Sequence, residues 1–312
     1  MKIRREKYVF ILLLGTIFFS QFSFAQQESQ YTQYIYNTMS INPAFTGARG
    51  RLSMIALYRN QWMGIEGAPQ TLNISAHSPL GKEARVGVGA EFINDKTGPV
   101  NQHLVIGNFS YVIPFSNDFH FSFGIKTGLS NYNLDLEKLN IYDPQHVDLI
   151  KRDKMTPLVG AGVYFYGKQW YLGISSPNLL QTKHYDDMKV STVKEKMHLY
   201  LIAGYKLEIS DEFYLKPSSL IKAVSGAPLA LDVSLNAVFL DKFILGAAYR
   251  NSAAVSAMTG FQINDFILVG YAYDYTTSEL AKYNKGSHEV FVRFELAELR
   301  SASYTRGSGP SF

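Results

Sequence analysis

The chain has no cysteine among its 312 residues. That excludes a disulfide framework and thiol catalysis. Charge is scarce as well: Asp, Glu, Lys and Arg make up 18% of the residues, below the roughly 25% of ordinary soluble domains. Beyond residue 25 no apolar run approaches the roughly 20 residues that a membrane-spanning helix needs. The formal net charge is +4, but Lys2, Arg4, Arg5 and Lys7 against Glu6 supply +3 of it, so the rest of the chain carries about +1. So small a surplus gives no support to a nucleic-acid partner.

The basic start has a purpose of its own. It is followed by an apolar run from Val9 to Phe19 and by Ser23-Phe24-Ala25, a small-x-small cleavage site. This is the layout of a secretory signal peptide over residues 1–25, with Gln26 as the first mature residue. No Cys follows the apolar run, so the leader is not that of a lipoprotein. Aromatic residues and glycine are abundant, with 21 Tyr, 21 Phe and 24 Gly. Mean hydropathy is −0.06, as expected of strands with one apolar and one polar face.

From residue 51 onward apolar and polar residues alternate with period two. Phe119, Phe121, Phe123, Ile125 and Leu129 share one face, and His120, Ser122, Gly124, Lys126 and Gly128 the other. Leu231, Val233, Leu235 and Phe239 oppose Asp232, Ser234 and Asn236; Val290, Val292, Phe294 and Leu296 oppose Glu289, Arg293 and Glu295. Alternation of this length and aromatic weight predicts strands between lipid and a lumen. Strand cores fall near 51–60, 70–79, 84–94, 100–113, 118–131, 156–167 and 168–177. They continue near 196–209, 211–224, 228–239, 241–250, 254–264, 265–275 and 287–297. The count, about 14, is even, as single-chain outer-membrane barrels require.

Every second connection is tight, and the intervening ones are mostly longer, notably 132–155, 178–195 and 276–286. Short periplasmic turns alternating with longer extracellular loops give this pattern and put both termini in the periplasm. The prediction is an all-β transmembrane antiparallel barrel over 51–297, with Arg51 opening the first strand. Residues 26–50 form a periplasmic N-terminal segment and residues 298–312 a flexible tail.

Motifs along the mature chain point to a family. Gln30-Tyr-Thr-Gln-Tyr34, Asn42-Pro-Ala-Phe-Thr-Gly47, Tyr58-Arg-Asn-Gln-Trp62 and Gly67-Ala-Pro69 stand at the start. Asp143-Pro144 and Ser175-Ser-Pro177 follow, then Gly270-Tyr-Ala-Tyr-Asp-Tyr275 and Gly286-Ser-His-Glu289 near the end. In this order the motifs resemble the PorP/SprF family. The resemblance implies an outer-membrane component of the type IX secretion system of Bacteroidetes, without enzyme chemistry. Its implied partners are a secreted surface protein, such as a gliding adhesin, and other secretion-system subunits, besides outer-membrane lipid.

Chemistry-bearing residues are sparse. The seven His (His77, His103, His120, His146, His184, His198 and His288) form no i, i+4 pair, so neither metal nor cofactor is expected. Gly87-Val-Gly89 lies mid-strand with no helix after it, which removes a dinucleotide reading. Gly173-Ile-Ser-Ser lacks the third glycine of a nucleophile elbow. Asp135, Glu137, Asp143, Asp148 and Asp153 lack the spacing of a calcium loop and read as a solvated loop. An outer-membrane hydrolase therefore has no residues to carry it, and a porin or solute channel is the rival to the secretion reading.

Two constellations remain. If the strand near 287–297 closes on that near 51–60, parity puts Arg59, Asp274 and Glu289 together in the lumen, with Trp62 in the loop above. They form either an ion-pair network across the barrel seam or a rim that docks the exported protein. Tyr31, Tyr34, Tyr36, Asn42, Pro43 and Phe45 mark a segment that either plugs the lumen from below or contacts periplasmic machinery.

Overall fold

The computed structural model describes residues 30–81, 83–116, 119–135, 153–180 and 197–296. The expected signal peptide, the tail over 298–312 and most of loops 132–155 and 178–195 lie outside these residues, as do Glu137, Asp143 and Asp148.

The first seven strands are β1 (Ser53–Asn60), β2 (Gln70–Leu80), β3 (Val86–Thr97), β4 (Val100–Pro114), β5 (His120–Leu134), β6 (Asp153–Tyr166) and β7 (Trp170–Ser176). β8 runs in two pieces, His198–Tyr205 and Leu207–Ser210. Then come β9 (Phe213–Val224), β10 (Ala230–Phe239), β11 (Phe243–Arg250), β12 (Ala254–Gln262), β13 (Ile267–Thr276) and β14 (Ser287–Glu295). Consecutive strands pair antiparallel, and β1 pairs with β14 from Ser53↔Glu295 to Asn60↔His288, which closes a fourteen-stranded barrel. The first strand begins two residues after Arg51.

Alternation sets the two faces. Val105, Ile125 and Leu245 point outward and are more than half exposed, while Ser122, Asn236 and Tyr164 point inward and are buried. Among the described residues no helix is long and apolar enough to cross a membrane.

Two prolines mark lapses in the ladder. β9 keeps Ser218 opposite Gly204 and Leu215 opposite Leu207, so Pro217 stands across from Tyr205, and Lys216 from Lys206 at the break in β8. Proline has no N–H to give to a neighbouring strand, and pairing lapses beside it. β7 pairs with β6 only over Ala161–Tyr166. On that side Asp153–Gly160 has no strand partner among the described residues, although the Leu179 N–H reaches the Val159 carbonyl at 2.7 Å. Pro157 shares the parity of Val159, so its missing N–H falls on the open edge, where it costs nothing.

The tight connections 81–85, 115–119, 167–169, 211–212, 240–242 and 263–266 all sit at one mouth of the barrel. The other mouth carries 61–69, 225–229 and 277–286, together with two short exceptions, Gly98-Pro99 and 251–253, and the strand ends that border 135–152 and 177–197 lie there too. Glu295 ends β14 at the tight-turn mouth. Thr32 lies beside Asp274 and Glu289, in the long-loop half, and the chain crosses the lumen before Arg49 reaches Glu295. Strand counting locates where β1 begins but is blind to the path of the residues before it.

Candidate functional site

Residues 31–48 are all buried inside the barrel. Their regular structure is slight: a helical turn α1 (Thr38–Ile41) and a 3-10 turn over Pro43–Phe45. Asn42 caps the second, its Oδ1 accepting the Ala44 N–H at 3.0 Å while its Nδ2 donates to the Val163 carbonyl of β6 at 2.9 Å. Pro43 stands at the first position of the turn, where no N–H is required.

A buried irregular segment needs partners for its backbone carbonyls. The lumen wall supplies them from short polar side chains. Ser175 Oγ donates to the Ile41 carbonyl at 2.9 Å, Ser122 Oγ to Ala44 at 2.7 Å and Ser110 Oγ to Thr46 at 2.6 Å. Lys126 Nζ adds a bond to the Ser40 carbonyl at 3.2 Å. Glycines let the backbones meet: a Cβ at Gly124 would lie 2.3 Å from Ala44 N, and one at Gly87 2.1 Å from the Thr46 oxygen. The mid-strand Gly87 thus serves packing.

The aromatic residues of the segment touch different walls. Tyr31 accepts from Asn73 Nδ2 at 3.3 Å, and the Tyr34 hydroxyl meets Ser218 Oγ of β9 at 3.1 Å. Tyr36 stacks on Phe291 at 4.8 Å between ring centroids, with the Arg293 guanidinium 5.7 Å from its own ring centre. Phe45 lies edge-on to His77 and Tyr164, at 5.6 and 5.5 Å. Burial raises the Tyr31 and Tyr34 phenols and pushes Tyr36 up to about 12, so all three are neutral at physiological pH.

Arg59, Asp274 and Glu289 meet where the segment begins. Arg59 Nη2 lies 2.7 Å from Asp274 Oδ2, and Nη1 lies 2.9 Å from Glu289 Oε2. One cation cannot neutralise two buried carboxylates, and the segment supplies the missing donors. Glu289 accepts the N–H of Thr32 at 2.9 Å and that of Gln33 at 2.8 Å. The Thr32 hydroxyl accepts from Arg59 Nη1 at 3.0 Å and donates to Asp274 at 2.7 Å. Trp62 stands apart from this group. It is half-buried, has a φ of 46°, and holds Ser287 Oγ through its backbone N–H at 3.1 Å.

Thr32 and Gln33 are the contributors that sequence reasoning missed. They stand as an adjacent polar pair between Tyr31 and Tyr34. Lys126 with Glu91 at 3.7 Å, and Arg250 with Asp232 at 2.7 Å, are further lumenal pairs. A cavity of about 150 Å³, lined by Tyr31, Ser40, Lys126, Pro157, Asn178 and Tyr200, lies between the segment and the wall. No cluster of His, Asp and Glu suited to a metal ion occurs among the described residues.

The family model "Type IX secretion system membrane protein PorP/SprF" matches residues 23–294. No curated protein matches the chain. Among solved structures, a Pseudomonas aeruginosa FadL homologue is 11% identical with a TM-score of 0.49, covering 83% of this chain and 94% of its own. The CymD monoaromatic hydrocarbon channel is 12% identical with a TM-score of 0.47, covering 85% and 94%. The KdgM porin is 11% identical with a TM-score of 0.36, covering 78% and 99%.

Proposed function

Because the chain belongs to the PorP/SprF family of type IX secretion system membrane proteins, we propose that it acts in the outer membrane as a closed barrel that binds protein partners. The partner is a secreted surface protein, a gliding adhesin among the candidates, or a subunit of the secretion machinery. The barrel binds or retains it by surface contact and performs no catalytic step. Residues 1–25 are the export signal, the long-loop mouth faces outward and the tight-turn mouth faces the periplasm. The apolar outward face meets lipid.

The observation that carries this reading is the filled lumen. A fourteen-stranded barrel encloses space that must be occupied to stop leakage, and residues 31–48 occupy it with several of their backbone carbonyls bonded to the wall. A diffusion porin needs that space open. The seam carboxylates are likewise engaged by the chain's own Thr32 and Gln33, which favours a structural role for them over an exposed docking rim. Full-length tagged protein should be crosslinked in native outer membranes, purified and its partners identified. Recovery of one exported surface protein or secretion subunit in near-stoichiometric amount is expected. Recovery of neither, together with large stable conductance in planar bilayers, would transfer support to the channel reading.

A further inference from the structure

We propose that the lumen at the tight-turn mouth holds a binding site for a soluble oxyanion, a phosphate or carboxylate group, formed by Arg293, Lys216, Lys206 and the hydroxyl of Tyr36. The proposal stands apart from the secretion reading.

Among the described residues, basic side chains outnumber acidic ones around Glu295. Arg49, Arg51 and Arg293 all approach Glu295: Arg49 is paired with it directly, Arg293 Nε lies 3.4 Å away and Arg51 Nη1 3.9 Å. The approach of Arg293 is within ion-pair range but misaligned for a hydrogen bond. Its Nε and Nη1 are buried and reach no hydrogen-bond partner. The hydroxyl of Tyr36, whose ring centre lies 5.7 Å from the same guanidinium, is buried and has no hydrogen-bond partner either.

Lys216 completes the arrangement. It is 9% exposed, its Nζ lies 5.3 Å from the Tyr214 ring centre, and no carboxylate among the described residues pairs with it. It is within electrostatic reach of Arg293, Arg49 and Lys206, all of its own sign, and more weakly of Asp241. Lys206 covers the same Tyr214 ring at 4.4 Å and spends its ion pair on the half-exposed Glu208, at 3.0 Å.

Buried like charges without counterions are costly, and orphaned donors around them add to the cost. An oxyanion among Arg293, Lys216 and the Tyr36 hydroxyl answers both, offering charge and several acceptor oxygens. Strand parity turns Arg293 and Lys216 to the lumen, so the barrel wall separates them from lipid headgroups. The ligand class is therefore a water-soluble anion or an acidic group entering through the mouth.

The test is thermal unfolding of the full chain in a zwitterionic detergent, titrated with sodium phosphate against sodium chloride at constant ionic strength. A saturable rise in unfolding temperature is expected for the parent. Lys216→Met and Arg293→Met should lose it, Lys216→Arg should keep it, and Arg51→Ala, outside the proposed site, should keep it too. With phosphate absent, Lys216→Met should unfold at a higher temperature than the parent, since an unpaired buried cation is gone. Calorimetric titration with phosphate and with succinate, on chains verified as folded by heat-modifiable migration, separates phosphate from carboxylate preference. No saturable response in the parent, or an equal response in parent and both methionine variants, overturns the proposal and leaves ionic strength as the explanation. If Arg293→Met does not fold, the comparison of Lys216→Met with Lys216→Arg decides alone.

Discussion

The hydroxyl of Thr32 donates to the Asp274 carboxylate at 2.7 Å across 242 residues of chain. The same carboxylate faces Arg59 of β1, whose other nitrogen bonds Glu289 of β14. The start of the lumenal segment is thereby fixed to the closing seam of the barrel. Closing the wall and seating the segment are one event at this point, because neither leaves the buried charges satisfied alone.

Arg59→Ala removes the only cation bonded to Asp274 and Glu289 among the described residues. Two neighbouring carboxylates would stay buried, at a cost of about 3 kcal/mol, and less where water reaches them. Heat-modifiable migration in detergent should be lost at a lower temperature than in the parent. Asp274→Asn in the same chain should restore part of the difference. Normal heat resistance in Arg59→Ala, with loss of partner display at the cell surface, would return the cluster to a docking role.

Gly124→Val tests whether the lumenal segment blocks conduction. The added Cβ would fall 2.3 Å from the Ala44 nitrogen, a backbone atom that can yield only by moving the segment. Planar-bilayer recordings should give little steady current for the parent and a clear rise for the variant. Deletion of residues 26–50 should raise it further. Equal conductance in all three chains would remove the blocking role.

Asn42→Ala should loosen the segment without disturbing the wall. The substitution deletes both the cap on Ala44 and the bond to Val163, together about 1–2 kcal/mol. Limited proteolysis of the folded barrel should then cut within residues 30–50 faster than in the parent, at unchanged heat resistance of the strands. An unchanged cleavage rate would show that the cap is dispensable.

The membrane orientation can be read with single cysteines, since the natural chain has none. Tyr283 lies in the 277–286 connection and is 72% exposed, and Lys168 lies in a tight turn at the opposite mouth. Tyr283→Cys should label with an impermeant maleimide on whole cells, and Lys168→Cys only after lysis. The reverse pattern would invert the topology.

The wall of the barrel was legible in the sequence because a strand reports its two environments locally, residue by residue. Phe123 and Ile125 face outward and Ser122 and Gly124 inward for no reason beyond period two. The same parity brought Arg59, Asp274 and Glu289 into one group, since closing the first strand on the last follows from counting. The path of residues 31–48 could not be read this way. Their carbonyl partners are Ser110, Ser122, Lys126 and Ser175, on strands distant in sequence, and their close approach depends on Gly87 and Gly124. These serines and glycines look like ordinary lumenal residues until something is laid against them. Sequence alone determined the strands, their faces and the seam, because each follows from alternation. Tertiary structure alone decided that the N-terminal segment starts in the long-loop half and fills the lumen, because that placement rests on many weak contacts whose partners share no local pattern.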